Sequence, residues 1–227
     1  MAANGNFTRP DGKQCPGYFA WPEGSSDSPG VVVIQEWWGL NDQIEGVADR
    51  LAAAGYRALA PDLYRGELTL EAEEARHRME GLDFMDAASQ DVRGAVAALK
   101  QEGGRVGVMG YCMGGALSVL AAVYVPEADA VSAWYGLPPE EAIVVERIRA
   151  PVQGHFGYRD SIVPMRRVDD LERRLEARGR SCDFHRYDAD HAFGNEQGAN
   201  YQPEAARQAW QRTLDFFGEH LGRGQAV

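Results

Sequence analysis

Gly107-Val-Met-Gly-Tyr-Cys112-Met-Gly-Gly115 places one cysteine between two segments of different periodicity. Val106 to Met109 is a short apolar run bounded by Gly103-Gly104 and Gly110, which reads as a buried strand, and Ala116 to Tyr124 (ALSVLAAVY) reads as a buried helix. Between them, Gly110-Tyr-Cys112-Met-Gly114 has the Gly-x-nucleophile-x-Gly spacing of a sharp strand-to-helix elbow, with Cys in the usual place of Ser. An elbow of this kind strains the backbone at its central residue, and small flanking residues let strand and helix approach without Cβ clashes. The thiol would sit at a helix N-terminus, where free N–H groups and the helix dipole favour a thiolate. The plainer reading is a structural cysteine in a Gly-rich turn.

The flanking sequence continues the strand–helix alternation in both directions. Upstream, Gly17 to Trp21 reads as an early edge strand and Ser25-Ser-Asp-Ser-Pro-Gly30 as a turn. Val31 to Gln35 (VVVIQ) is β-branched and nearly all apolar, as a central parallel strand covered on both faces must be. Asn41 can cap a helix running to about Ala54, with Ile44, Val47, Ala48 and Leu51 at helical spacing; Gly55 ends it, and Tyr56 to Ala60 is a further strand. Leu68–Met79 and Phe84–Lys100 read as helices separated by Glu80-Gly-Leu-Asp83. Downstream, Ala128–Tyr135, Pro151–Phe156 and Ser181–Tyr187 read as strands, Pro164–Arg178 and Pro203–Leu221 as helices. With no internal repeat and no long linker, the expectation is one α/β domain over residues 1–227, a mostly parallel, doubly wound sheet flanked by helices. In such sheets chemistry lies at the carboxyl ends of the strands. Glu36, Cys112, Asp160 and His191 each fall just after an expected strand.

A thiol nucleophile needs a base, and the base needs an acceptor to orient its other nitrogen. His191 lies in the polar loop Asp188-Ala-Asp-His191-Ala-Phe-Gly-Asn195, whereas His77 and His220 fall on helices and His155 and His185 within strands, where structural roles are expected. Asp160, in Gly157-Tyr-Arg-Asp160, is the expected orienting acid; Asp188 and Asp190 are alternatives too close in sequence to His191 to orient it easily. Asp160 could equally be a turn or cap aspartate. The order Cys112…Asp160…His191 is that of nucleophile, acid and base in α/β-hydrolases. Glu36 precedes Trp37-Trp38-Gly39, and a carboxylate there could accept the thiol proton or hold Cys112 neutral, unless it is merely a solvated loop residue. The Met113 and Trp37 backbone N–H groups are the expected oxyanion donors, and Trp37 and Trp38 could line a substrate pocket or simply pack.

The net charge of −11 argues against a nucleic-acid partner. The chain has no apolar run long enough to span a membrane and no signal-peptide pattern at its start. Cys15, Cys112 and Cys182 are an odd set without metal-ligand spacing, which points to a reducing, cytoplasmic setting. Oligomeric state is not legible.

Taken together, Gln35-Glu-Trp-Trp-Gly-Leu-Asn41, Ala60-Pro-Asp-Leu-Tyr64, Gly110-Tyr-Cys-Met-Gly-Gly-Ala116, Gly157-Tyr-Arg-Asp160 and His191-Ala-Phe resemble the dienelactone hydrolase (carboxymethylenebutenolidase) family, in order and at comparable spacing from about Gly17 to Phe217. The resemblance implies an α/β-hydrolase domain without metal or organic cofactor. It also implies a triad of Cys112, His191 and Asp160, and a glutamate, Glu36, that controls the thiol. It implies arginines that hold a substrate carboxylate, one of them at the position of Asn195 and another near Arg76 and Arg78; Asn195 departs from that pattern. The expected function is cysteine-dependent hydrolysis of small lactones or esters through a thioester. The alternative is a non-catalytic binding protein or a redox-sensing thiol protein on the same fold.

Overall fold

A strand that is apolar on both sides must be covered on both sides, and β-branched runs such as VVVIQ therefore belong at the centre of a sheet. The computed structural model describes residues 1–23 and 28–222, so residues 25–27 of the expected turn lie outside the described residues. Eight strands form one sheet: β1 (Ala2–Thr8), β2 (Gln14–Ala20), β3 (Gly30–Ile34), β4 (Arg57–Pro61), β5 (Val106–Tyr111), β6 (Ala130–Trp134), β7 (Val152–Gly157) and β8 (Cys182–Tyr187). Their order is β1-β2-β4-β3-β5-β6-β7-β8. Every pairing from β4 to β8 is parallel, and β1–β2 and β2–β4 are antiparallel.

The helices are α1 (Asp42–Ala53), α2 (Ala72–Gly81), α3 (Phe84–Asp86), α4 (Arg93–Gln101), α5 (Met113–Tyr124), α6 (Met165–Glu176) and α7 (Pro203–Leu221). Successive residues of β3 enter opposite cores: Val31 and Val33 join Ile44, Val47 and Leu51 of α1 and Phe216 and Phe217 of α7, while Val32 and Ile34 join Val96 and Leu99 of α4 and Leu117 of α5. Asn41 caps α1 as its side chain accepts from the Ile44 N–H at 3.2 Å.

Three elements differ from expectation. The strand expected at Gly17–Trp21 is not the edge, because β1 pairs outside it; β1 is polar, with Phe7 its one buried residue, and so carries no period-two signal. The helix expected over Phe84–Lys100 contains a π-helical segment, Ala87–Val92, between α3 and α4. This wider turn carries Asp91, which is buried and accepts from Arg9 Nη1 at 3.1 Å and from Arg65 Nη2 at 2.8 Å. The helix expected from Leu68 starts later, at Ala72: Thr69 Oγ1 accepts from the Glu71 N–H (3.1 Å), and the first helical bond runs from Ala75 N–H to Glu71 O (2.9 Å).

A buried histidine ties β7 to α7. His155 Nδ1 lies 2.9 Å from the Tyr187 hydroxyl, and Nε2 lies 2.9 Å from Gln153 Oε1 and 3.0 Å from Thr213 Oγ1. Arg212 donates to that hydroxyl, which leaves the hydroxyl proton for Nδ1 and the ring N–H on Nε2. Burial, with His185 and Arg212 adding to it, pushes the His155 pKa well below the ordinary 6.5. The unfolded chain takes up a proton here as pH drops below about 6.5 and the folded chain does not. Stability present above that pH is therefore lost in acid, at roughly 1.4 kcal/mol per pH unit. Chemical denaturation between about pH 6.5 and 5 should show a shallower loss for His155→Gln than for wild type; an equal slope would place the proton uptake elsewhere.

Candidate active site

Five strand ends, those of β3, β5, β6, β7 and β8, deliver the site. Cys112, directly after β5, adopts φ 53° and ψ −112°. Among the described residues it is one of four non-glycine residues at positive φ, and two of the others, Tyr135 and Ala192, stand beside it, so backbone strain is concentrated here. The elbow is tight enough to exclude side chains. A Cβ on Gly114 would sit 2.3 Å from Ile34 O, and one on Gly136 would sit 1.9 Å from Cys112 O. The Cys112 N–H is tied to Trp134 O at 3.0 Å, and Cys112 O accepts the first helical bond of α5 from Ala116 N–H at 3.1 Å.

His191 Nε2 lies 3.0 Å from Cys112 Sγ, and its Nδ1 lies 2.8 Å from Asp160 Oδ2. The other Asp160 oxygen accepts the backbone N–H groups of Ile162 (2.7 Å) and Val163 (2.9 Å), which fixes the carboxylate against rotation. Asp188 and Asp190, the alternatives in sequence, are both held by Arg159. The Tyr135 ring packs edge-on against His191 with centroids 5.4 Å apart.

Glu36 is buried (2% exposed), and both its oxygens are engaged: Oε1 accepts from the Tyr135 hydroxyl at 3.2 Å and Oε2 from Asn195 Nδ2 at 2.7 Å. Burial pushes its pKa up, while Asn195, Tyr135 and the nearby His191 pull it down. Burial likewise pushes the Cys112 thiol up, Glu36 and Asp160 add to that, and the Met113 backbone N–H opposes it. Desolvation and the neighbouring carboxyl groups thus act against the thiolate that the helix N-terminus favours.

A pocket of about 320 Å³ opens on these residues, lined by Glu36, Trp37, Trp38, Met79, Cys112, Ile162, His191, Ala192, Asn195, Gly198, Ala199 and Asn200. Trp37 and Trp38 pack edge to face with centroids 5.1 Å apart. Arg76 and Arg78, expected near a substrate, are not in this lining. Arg76 is on the exposed side of α2 and Arg78 is taken by Glu67 and Glu74; the α2 residue that reaches the pocket is Met79. Asn195 does line it, and grips Glu36. Tyr135 was not among the expected site residues, although it directly follows β6 and so obeys the strand-end rule that found the others. Among the described residues no cluster of His, Cys, Asp or Glu is arranged to hold a metal ion, and no helix is long and apolar enough to cross a membrane.

The profile of the Dienelactone hydrolase family matches residues 15–221. The chain is 32% identical over 223 residues to the "Putative carboxymethylenebutenolidase" of Methylorubrum extorquens, covering 90% of this chain and 77% of that protein. It is 34% identical over 223 residues to "Protein usf" of Aquifex pyrophilus, covering 93% of this chain and 96% of that protein. Among solved structures it resembles a dienelactone hydrolase-like promiscuous phosphotriesterase from metagenomic libraries, with a TM-score of 0.83 and 28% identity over 98% of this chain and 99% of that one.

The charge arrangement sets an expectation for Cys112 reactivity. Glu36→Gln removes one of the two negative charges that raise the thiol pKa, so iodoacetamide should label Cys112 roughly tenfold faster at neutral pH in the variant, by the factor that one pKa unit represents. Peptide mapping of the labelled site checks it; equal rates would show that Glu36 does not govern the thiol.

Proposed function

The chain belongs to the dienelactone hydrolase family, enzymes of the α/β-hydrolase fold that hydrolyse esters and lactones, and from that premise we propose that it opens small esters or lactones through a thioester on Cys112. The observation that carries this reading is the continuous line from Cys112 Sγ to His191 (3.0 Å) to Asp160 (2.8 Å) on a strained elbow. His191 Nε2 takes the thiol proton as sulfur attacks the carbonyl carbon. The new S–C bond forms a tetrahedral centre whose oxygen is held by the backbone N–H groups of Met113, the first residue of α5, and Trp37, on the loop after β3. Close packing at Gly114, where a Cβ would meet Ile34 O and Gln35 O, supports the pairing by keeping the start of α5 beside the end of β3.

Collapse breaks the bond to the alkoxy oxygen, which leaves with the proton carried by His191. Water then gives its proton to His191 as it attacks the thioester, the C–S bond breaks, and the proton returns to sulfur. Asp160 keeps Nδ1 protonated and stabilises the imidazolium in each half. Glu36 acts on the resting state: its charge holds the thiol neutral, and substrate binding must shift Glu36 or the proton before attack. Unreacted esters meet a thiol, not a free thiolate, so general reactivity is low.

The reading as a binding or redox protein has less support. Cys15 is buried under Arg65, whose Nη1 lies 3.2 Å from its sulfur, and it belongs to the core on the helix α4 face, so it offers no resolving thiol. Three unpaired thiols fit a reducing cytoplasmic setting. Turnover of 4-nitrophenyl acetate tests the mechanism. Cys112→Ala should abolish it, while Cys15→Ala and Cys182→Ala retain it. His191→Ala should lose ~10³-fold or more, and Asp160→Asn ~10²- to 10⁴-fold through the wrong imidazole tautomer. Full activity in Cys112→Ala would end the proposal, and near-normal activity in Asp160→Asn would remove that residue from the triad.

A further inference from the structure

The pocket over Cys112 is lined by two tryptophans, Met79, Ile162, Ala192, Ala199, Asn195 and Asn200, and among the described residues its only ionisable lining side chains are Glu36, Cys112 and His191. None of these supplies a permanent positive charge. The cations that come nearest along the chain are already committed: Arg78, next to Met79, to Glu67 and Glu74, and Arg159, next to Asp160, to Asp188 and Asp190. Glu36 accepts from two donors, Tyr135 Oη and Asn195 Nδ2, which favour its carboxylate against the burial that raises its pKa. At the position of Asn195, a neutral amide does the holding.

We infer that this pocket selects an uncharged, largely apolar ester or lactone and turns away one bearing a carboxylate. The inference rests on the hydrolytic reading of the same site. A substrate carboxylate would leave water for a space walled by indole, thioether and methyl groups and by two amides already engaged, Asn195 with Glu36 and Asn200 with His191 O, with no guanidinium or ammonium among the described lining to receive it. It would also face Glu36 at short range, where solvent screening is weak. An apolar substituent, by contrast, is buried against Trp37, Trp38, Met79 and Ile162 with gain. About 320 Å³ is roughly ten water volumes, which suits a ligand the size of a substituted butenolide or a short-chain ester.

The test compares 4-carboxymethylenebut-2-en-4-olide with its methyl ester, two lactones that differ mainly in charge, and uses 4-nitrophenyl acetate as a control for turnover. The methyl ester should show a kcat/KM at least ~10-fold above that of the acid. Met79→Arg and Ile162→Arg each place a cation in the lining, from different elements, and Ile162 is 63% exposed and tolerant of a long side chain. Each should narrow the ratio severalfold. An acid handled as well as its ester overturns the inference, as does a preference that neither arginine changes. If no compound is turned over, the control included, the hydrolytic reading fails on its own. Charge selection is then read from protection of Cys112 against iodoacetamide. Stronger protection by the methyl ester upholds it, and equal, weaker or absent protection overturns it.

Discussion

Everything at the site depends on one tight backbone crossing, where the first turn of α5 passes between the ends of β3 and β6. Gly114 lies against the β3 carbonyls and Gly136 against Cys112 O, so neither can carry a Cβ without moving a strand. The crossing puts Cys112 at φ 53°, a conformation that costs a non-glycine residue about 1–3 kcal/mol and persists because the surrounding sheet overdetermines it. Hydrogen bonds from Cys112 N–H to β6 and into α5 lock it there. The sulfur is aimed by this constraint, and the loops after β7 and β8 need only bring Asp160 and His191 to meet it.

The same geometry that aims the sulfur also dries it. Desolvation is the first cause raising both the thiol and the Glu36 carboxyl, and two buried acids at close quarters disfavour each other's ionisation. Neutral donors oppose this unequally: Tyr135 and Asn195 both favour the Glu36 carboxylate, whereas the thiol has a single backbone amide. With Glu36 held by both donors and no permanent cation among the described residues that line the pocket, the electrostatics of the resting enzyme and those of substrate choice become one matter.

The central strands and the strand-end residues were legible from sequence because their causes are local. A β-branched run such as Val31–Ile34 has one place in a sheet, and the Gly spacing around Cys112 has one steric purpose. Asn41 was readable as a cap for the same reason. Partnerships made at long range were not. β1 forms because Phe7 and the β2 backbone accept it, not because AANGNFT prefers a strand. The π-helical turn at Ala87–Val92 depends on Arg9 and Arg65 arriving from elsewhere to meet Asp91. Tyr135 reads as the end of an apolar strand until the fold sets its hydroxyl on Glu36, and Asn195 reads as a missing arginine until it is seen to hold that carboxylate.

The two histidines of β7 and the β8 loop show how burial, not residue type, assigns a role. His155 and His191 each have both ring nitrogens engaged. Those of His155 end on neutral groups, Tyr187, Gln153 and Thr213, in a place with no opening, so a proton added there would have no counter-charge and the ring stays neutral. His191 faces a carboxylate on one side and an ionisable sulfur on the other, at the wall of a pocket. A proton that reaches it is met by Asp160 and can be passed on. The loop position that made His191 recognisable is thus the physical requirement itself: a base must stand where charge can come and go.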